Sequence, residues 1–245
     1  MARLVSGRLS DIWVYLAATP LMGLTITLLA YQAAYWIYRR ANFNPLANPV
    51  AIAIALLIIV LTLTGTPYPS YFDGAQFVHF LLGPATVALA VPLYTHFNKL
   101  RRMLFPIFGA LIAGACTAVI SAVGIAWLLG ASRETLLSLA PKSVTMAIAM
   151  GIAEKVGGLP SLTAVLVIST GIFGAVVATG VLNALKIKDY SVRGFAVGVA
   201  AHGIGTARAF QVNEEAGAFA GLAMGLNALV TALLLPVLIS SVGLT

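Results

Sequence analysis

The chain has 245 residues with 14 basic and only 7 acidic side chains, so 9% of it is charged and 60% is hydrophobic. An ordinary soluble domain is about 25% charged, and so few charges cannot cover the outside of a water-soluble fold of this length. These figures exclude a soluble enzyme, a nucleic-acid module and a disordered regulator, and they predict an all-α polytopic membrane protein. The net charge of +7 is then read as loop asymmetry and not as a footprint for nucleic acid. The single Cys116 sits in an apolar run and builds neither a disulfide framework nor a cysteine-rich zinc site.

Crossing about 30 Å of hydrocarbon takes roughly 20 apolar residues. The first such run, 12–38, is closed by Arg39 and Arg40; it is too long for a signal-peptide core and no small-residue cleavage site follows it. The second, 49–64, is introduced by Asn44-Pro45 and Asn48-Pro49, where a preceding helix is expected to stop. A polar, aromatic loop at 66–76 precedes the third run, 77–97, which is interrupted by Gly83-Pro84 and Pro92 and closed by Lys99, Arg101 and Arg102. The fourth run is 105–129. A shorter, broken stretch follows at 135–152, containing Pro141, Lys142, Ser143 and Thr145. After Gly157-Gly158-Leu159-Pro160 comes another long run, 162–185, ending in Lys186 and Lys188. A Gly-rich polar stretch at 194–209 precedes the last long run, 216–242. The pattern predicts about 6–8 transmembrane helices, some broken or re-entrant, in one membrane domain covering 1–245.

Three clusters hold eight of the 14 cations: Arg39/Arg40, Lys99/Arg101/Arg102 and Lys186/Lys188/Arg193. Placing all three in the cytoplasm puts the loop near residue 130 outside and makes 132–156 a re-entrant hairpin. The alternative is a true broken crossing, with Lys186 and Lys188 on the outer side. An internal echo points to repeats. Shifted by 57 positions, Leu82, Pro84, Val87 and Ala90 match Leu139, Pro141, Val144 and Ala147, and the following runs carry Gly114 and Gly171 at the same offset. Helices broken at corresponding places are the sequence pointer to a transporter's binding site.

Three segments place polar groups where a membrane helix should be apolar: Gly83-Pro84-Ala85-Thr86, Pro141-Lys142-Ser143-Val144-Thr145, and residues 202–208 with His202, Gly203, Gly205, Thr206 and Arg208. Opening a helix in lipid exposes N–H and C=O groups, which is tolerated only against protein or a wet cavity. The half-helix N-terminus that results carries unpaired N–H groups and partial positive charge. A cation beside it makes a site for a small carboxylate, with Ser143, Thr145 and Thr206 facing a neighbouring hydroxyl or keto oxygen. A charge at the bilayer centre costs about 2.5–3.5 kcal/mol, which argues for a function at Lys142 and Arg208. Plainer readings stand beside this one. Pro84 and Pro92 kink a helix, Lys142 snorkels to an interface from ten residues past Ser132, and Arg208 continues the Arg193 cluster. His202 is a packed histidine or a proton carrier. Gly109, Gly114, Gly171 and Gly174 serve close helix packing. There is no zinc-protease His pair, nucleophile elbow or phosphate loop, so no enzyme, cofactor or metal is expected.

At residues 139–150 (Leu-Ala-Pro-Lys-Ser-Val-Thr-Met-Ala-Ile-Ala-Met) and 201–208 (Ala-His-Gly-Ile-Gly-Thr-Ala-Arg) the sequence resembles the LrgB/CidB family. The likeness continues through 215–224, and Asn48-Pro49, 84–90 and 157–160 also fit, so it covers nearly the whole chain. One departure is Met146-Ala147, where the family pattern has Thr-Pro. The resemblance implies an antiholin-like protein tied to control of murein hydrolases and lysis, or a translocator of glycolate, glycerate, pyruvate and similar short acids. It implies the bacterial inner (plasma) membrane, a small LrgA/CidA-like partner and a homo-oligomer, a dimer, with the lipid bilayer as surroundings. It also implies a distant similarity to the cation/proton antiporter and bile-acid transporter group, whose inverted repeats cross two broken helices at mid-membrane. The resulting expectation is a secondary transporter of small monocarboxylates bound by Lys142, Ser143, Thr145, His202, Gly203, Gly205, Thr206 and Arg208, with helix breaks at Pro84, Thr86 and Pro141. The alternative is a holin-like pore or its regulator.

Overall fold

A computed structural model describes residues 20–241; positions 1–19, with the start of the first apolar run, and 242–245 lie outside it. Among the described residues every regular element is helical: α1 (Pro20–Arg40), a 3-10 turn (Pro45–Ala47), α2 (Pro49–Thr64), α3 (Tyr68–Phe80), α4 (Leu82–Ala88), α5 (Ala90–Thr95), α6 (Phe97–Arg102), α7 (Leu104–Leu128), α8 (Arg133–Leu139), α9 (Met146–Val156), α10 (Pro160–Ala184), α11 (Tyr190–Val212) and α12 (Glu214–Ser241). Four helical stretches among them are long and apolar enough to cross a membrane: Tyr68–Thr95, Leu104–Leu128, Pro160–Ala184 and Glu214–Ile239; Pro49–Thr64 is apolar but shorter. The chain is a multi-pass membrane protein.

Its contacts fall into two compact units divided after residue 86. In the first, Asn48 caps α2 by accepting from the Val50 and Ala51 N–H groups, with Pro49 in the first turn, where its missing N–H costs nothing. Gly65, at φ 64°, closes the same helix. Gly23 lets α1 lie directly on α3, since a Cβ there would run into the Tyr71 carbonyl and stand 2.9 Å from the Ala75 nitrogen. Thr27 and Tyr71 share a hydroxyl–hydroxyl bond of 2.7 Å across the same contact.

The third apolar run is cut into four short helices, α3 to α6. Pro84 and Pro92 each stand three residues after an interruption, at Leu81 and Leu89. Leu89 keeps a helical φ of −63° and ψ of −19°, and the Leu81 and Ala85 N–H groups still donate to the Phe77 and Leu81 carbonyls, so the prolines kink one helical stretch, Tyr68–Thr95. Thr86 lies in α4; its side chain is outside the described set. The two halves of the sequence echo differ in structure: Leu82–Ala88 is helical, whereas 140–145 is a turn.

In the second unit, two long helices are each followed by a hairpin. After α7, Ser132 caps α8 through the Thr135 N–H. The chain turns at 140–145, and α9 runs from its N-cap Thr145 to Gly157, which ends it at φ 89°. The next residues come back to where the hairpin began. A Cβ on Gly158 would stand 2.9 Å from the Ser138 nitrogen, the Leu159 N–H donates to the Ser138 hydroxyl at 2.7 Å, and the Thr163 hydroxyl donates to the Ser138 carbonyl at 3.0 Å. The excursion from 139 to 157 therefore closes on itself, and the structure has the hairpin, not the crossing.

After α10, Asp189 caps α11. That helix is broken at His202, whose φ of 40° and ψ of −133° are not helical. Past the break the chain folds back: a Cβ on Gly205 would stand 3.1 Å from the Val197 carbonyl oxygen and 2.6 Å from the Ala201 Cβ. The two ends of α11 meet at one cation. Lys99 Nζ is 2.9 Å from Asp189 Oδ2 before the helix and 2.7 Å from Glu215 Oε1 after it. The Gly-rich stretch is thus a second hairpin, with its tip at His202. Lys99 also sets the 99–102 and 186–193 cationic clusters at one end of this unit, while hairpin 133–156 opens from the other. Glycines seat the second hairpin on α12. A Cβ on Gly194 or Gly198 would collide with the backbone of Ala216 or Ala220, the close approach that small residues permit between membrane helices.

That contact gives a stability test. Gly198→Ala is expected to lower the melting temperature of detergent-purified protein by a cost of about 1–3 kcal/mol, the usual penalty of overpacking. Gly225→Ala, where nothing lies within 4 Å of an added Cβ, is expected to leave it unchanged. A second test concerns Asp189. The Ser191 hydroxyl and then Lys99 hold its carboxyl down from 3.8 to about 2. Because the folded value lies below the unfolded one, the stabilisation is complete above about pH 4 and is lost as pH falls through 2. The gap in melting temperature between the native protein and Asp189→Asn is expected to close over that window.

Candidate functional site

The two hairpin tips come together at one buried amide. Asn227, midway along α12 and 1% exposed, donates both of its N–H bonds. One goes to the Ser143 carbonyl in the tip of the first hairpin and one to the Val199 carbonyl just before the break in the second, each at 3.1 Å. This fixes which way the amide faces, because only its nitrogen can serve two carbonyls. Its Oδ1 is buried and has no hydrogen-bond partner among the described residues.

The second tip is held by its own contacts. A positive φ at a non-glycine residue costs on the order of 1–3 kcal/mol and persists only where the surroundings enforce it. His202 is buried; its Nε2 donates to the Val167 carbonyl on α10 at 3.0 Å. Its ring fills the space left by Gly171, where a Cβ would stand 2.7 Å from Cε1. The Thr206 hydroxyl closes the turn by donating to the His202 carbonyl at 2.8 Å.

A cavity of about 690 Å³ runs along α7 and the first arm of the second hairpin to the tip of the first. Met103 and Ser191 line it near the Lys99 end. Its walls are Ala110, Gly114 and Thr117 on one side and Phe195 and Val199 on the other, and Lys142 and Ser143 stand at the first hairpin's tip. The Lys142 ammonium donates to the Ser143 hydroxyl at 3.2 Å. None of the residues lining the cavity is acidic, so among the described residues this half-buried ammonium faces an apolar cavity with no carboxylate beside it. A cation so placed attracts an anion small enough to enter, because a charge in a low-dielectric cavity is stabilised only by a partner.

The structure brings some of the expected residues together and separates others. Lys142 and Ser143 share the cavity. Thr145 caps α9 on the same tip, with no hydrogen bond from its side chain to the helix, and Pro141 is buried beneath the turn. His202, Gly203, Gly205 and Thr206 form the other tip and the start of its returning arm, outside the cavity lining. Arg208 lines a different, smaller recess with Arg193 and Thr179, because the fold-back at His202 carries it toward the Asp189 end. Asn227 and Thr117 were not singled out by the sequence reading. The signal for Asn227 was a lone amide in a long apolar helix, where lipid leaves a polar side chain no partner except protein.

The profile of the LrgB-like family matches residues 27–241. An uncharacterized protein of Bacillus subtilis, YwbG, is 36% identical over 220 residues, covering 90% of this chain and 97% of that protein. The holin-like protein CidB of Staphylococcus epidermidis is 33% identical over 225 residues, covering 92% and 97%. The antiholin-like protein LrgB of Bacillus cereus is 28% identical over 225 residues, covering 92% and 98%. No solved structure matches the chain. With a family profile spanning most of its length and relatives covered almost end to end, the chain belongs to the LrgB-like family.

Proposed function

We propose that the protein is a secondary transporter of small monocarboxylates of the 2-hydroxy or 2-keto class, such as glycolate, glycerate, lactate or pyruvate. The observation that carries this reading is Lys142: an ammonium at the tip of a re-entrant hairpin, at one end of a cavity and without an acidic partner. Ser143 and Thr145 on the same tip stand ready for the substrate's hydroxyl or keto oxygen. A helix followed by a hairpin occurs twice, at 104–156 and 160–212, with the hairpins entering from opposite ends. We read this as an inverted repeat, which is the architecture in which one site is exposed alternately to two sides. The cationic end belongs in the cytoplasm, so the cavity opens inward, and the membrane is the bacterial inner membrane.

The names of the relatives favour a second reading. A holin-like or antiholin-like protein acts as a pore or pore regulator, alone or with a small LrgA/CidA-like membrane protein. The two readings differ in what crosses. A transporter saturates and discriminates between acids of equal size, whereas a pore leaks unrelated solutes up to a size limit.

In proteoliposomes Lys142→Ala is expected to raise the half-saturating concentration of glycolate or pyruvate about 10- to 100-fold, the value of a charge-assisted bond in a desolvated site. Arg208→Ala, in the separate recess, is expected to change it less than about threefold, within the usual scatter of a substitution outside the site. Unchanged uptake in Lys142→Ala, or equal leakage of acids and neutral sugars, contradicts the transport reading.

A further inference from the structure

Asn227 is bonded to both hairpins, and the tips belong to elements entering from opposite ends. Its two donors are committed to Ser143 and Val199, while its acceptor is buried and, among the described residues, unpaired. A side chain serving stability alone would be expected to satisfy all three groups, since an unpaired buried acceptor is unfavourable. The Val199 carbonyl belongs to the arm that carries the His202 break, and the Ser143 carbonyl to the residue that Lys142 donates to. Movement of either tip away from α12 breaks one of the two bonds and leaves the other.

We propose that Asn227 is a positioning residue that couples the two hairpins: it clamps both tips while the cavity is in the form seen here and releases one when access changes sides. This rests on the transport reading, since only alternating access asks the tips to move separately. The coupling acts through donor count. Asn227→Ala removes both donors. Asn227→Asp keeps the shape but, when ionised, turns an oxygen toward each carbonyl; when protonated, it regains one donor. Clamping should therefore return as the pH falls and the introduced carboxyl takes up a proton. The small cavity beside Asn227 is lined by α7, α12 and the first tip, from Ala115, Ala118 and Val119 to Ala140, Ser143 and Thr231, and none of its residues titrates. The nearest titratable side chains along the two tips are Lys142, next to Ser143, and His202, three residues past Val199.

The test uses the full chain in proteoliposomes, in a Cys116→Ala background carrying Val144→Cys as a reporter on the first tip, where Val144 is 1% exposed. Labelling by a water-soluble maleimide and counterflow of glycolate and pyruvate are followed from pH 5 to pH 8, each ratioed to the protein with Asn227 intact. Asn227→Ala is expected to label about tenfold faster at every pH, as loss of two hydrogen bonds implies. Asn227→Asp is expected to label as fast as Asn227→Ala at pH 8 and to return most of the way at pH 5, with counterflow recovering in parallel. Labelling that is the same in all three proteins overturns the clamp. If Asn227→Ala fails to fold, the pH dependence of Asn227→Asp decides alone. Clamped labelling without counterflow by the intact protein refutes the coupling because no transport exists to couple. Normal counterflow with labelling indifferent to Asn227 refutes the clamp and leaves the transport reading standing.

Discussion

A helix interrupted inside a bilayer must hand its backbone groups to something other than water, and in this protein one amide takes the carbonyls of two such interruptions. Asn227 draws the tips of the two hairpins to the same point on α12. The rest of the second unit is arranged around that point. Gly194 and Gly198 bring the second hairpin hard against α12, Gly171 makes room for the His202 ring, and Ser138 stitches the first hairpin shut at its outer end. Each of these contacts is local, yet together they leave Lys142 at a cavity end, with no acid to neutralise it.

Electrostatics divide the cations by task. Lys99 is paired twice, and it fastens both ends of the second hairpin at the cationic face. Lys142 is paired with nothing acidic among the described residues, and its ammonium donates to a neighbouring hydroxyl. In a chain that is only 9% charged, a half-buried ammonium lining an apolar cavity without an acidic neighbour there argues for an anionic ligand. The relatives' names speak for holin-like behaviour; the local chemistry at Lys142 is what speaks for a carrier.

Much of this was legible in the residues. Hydropathy alone placed runs at 105–129 and 162–185, within two residues of the ends of α7 and α10. Pro141 and Lys142 marked the first tip because both are costly in an intact membrane helix. The direction of the chain after a break was not legible. Nothing in the apolar pattern of 194–209 says that the helix reverses at His202, since reversal depends on Gly205 meeting Val197 and on Val167 holding the imidazole. That reversal is also why Lys142 and Arg208, alike in sequence terms, line separate cavities. The segmentation of 68–102 was half legible: the interruptions at Leu81 and Leu89 lie one turn before Pro84 and Pro92, whose missing N–H groups the sequence announces, but the break at His96 carries no breaker residue.

The central claim is that the Lys142 cavity takes a carboxylate for its charge. Its most direct measurement is calorimetric titration of the purified full-length protein with glycolate and with the uncharged analogue glycolamide. The account predicts saturable binding of glycolate and none of glycolamide, which has the same shape without the charge. Equal binding of the two, or no binding of either, would contradict it.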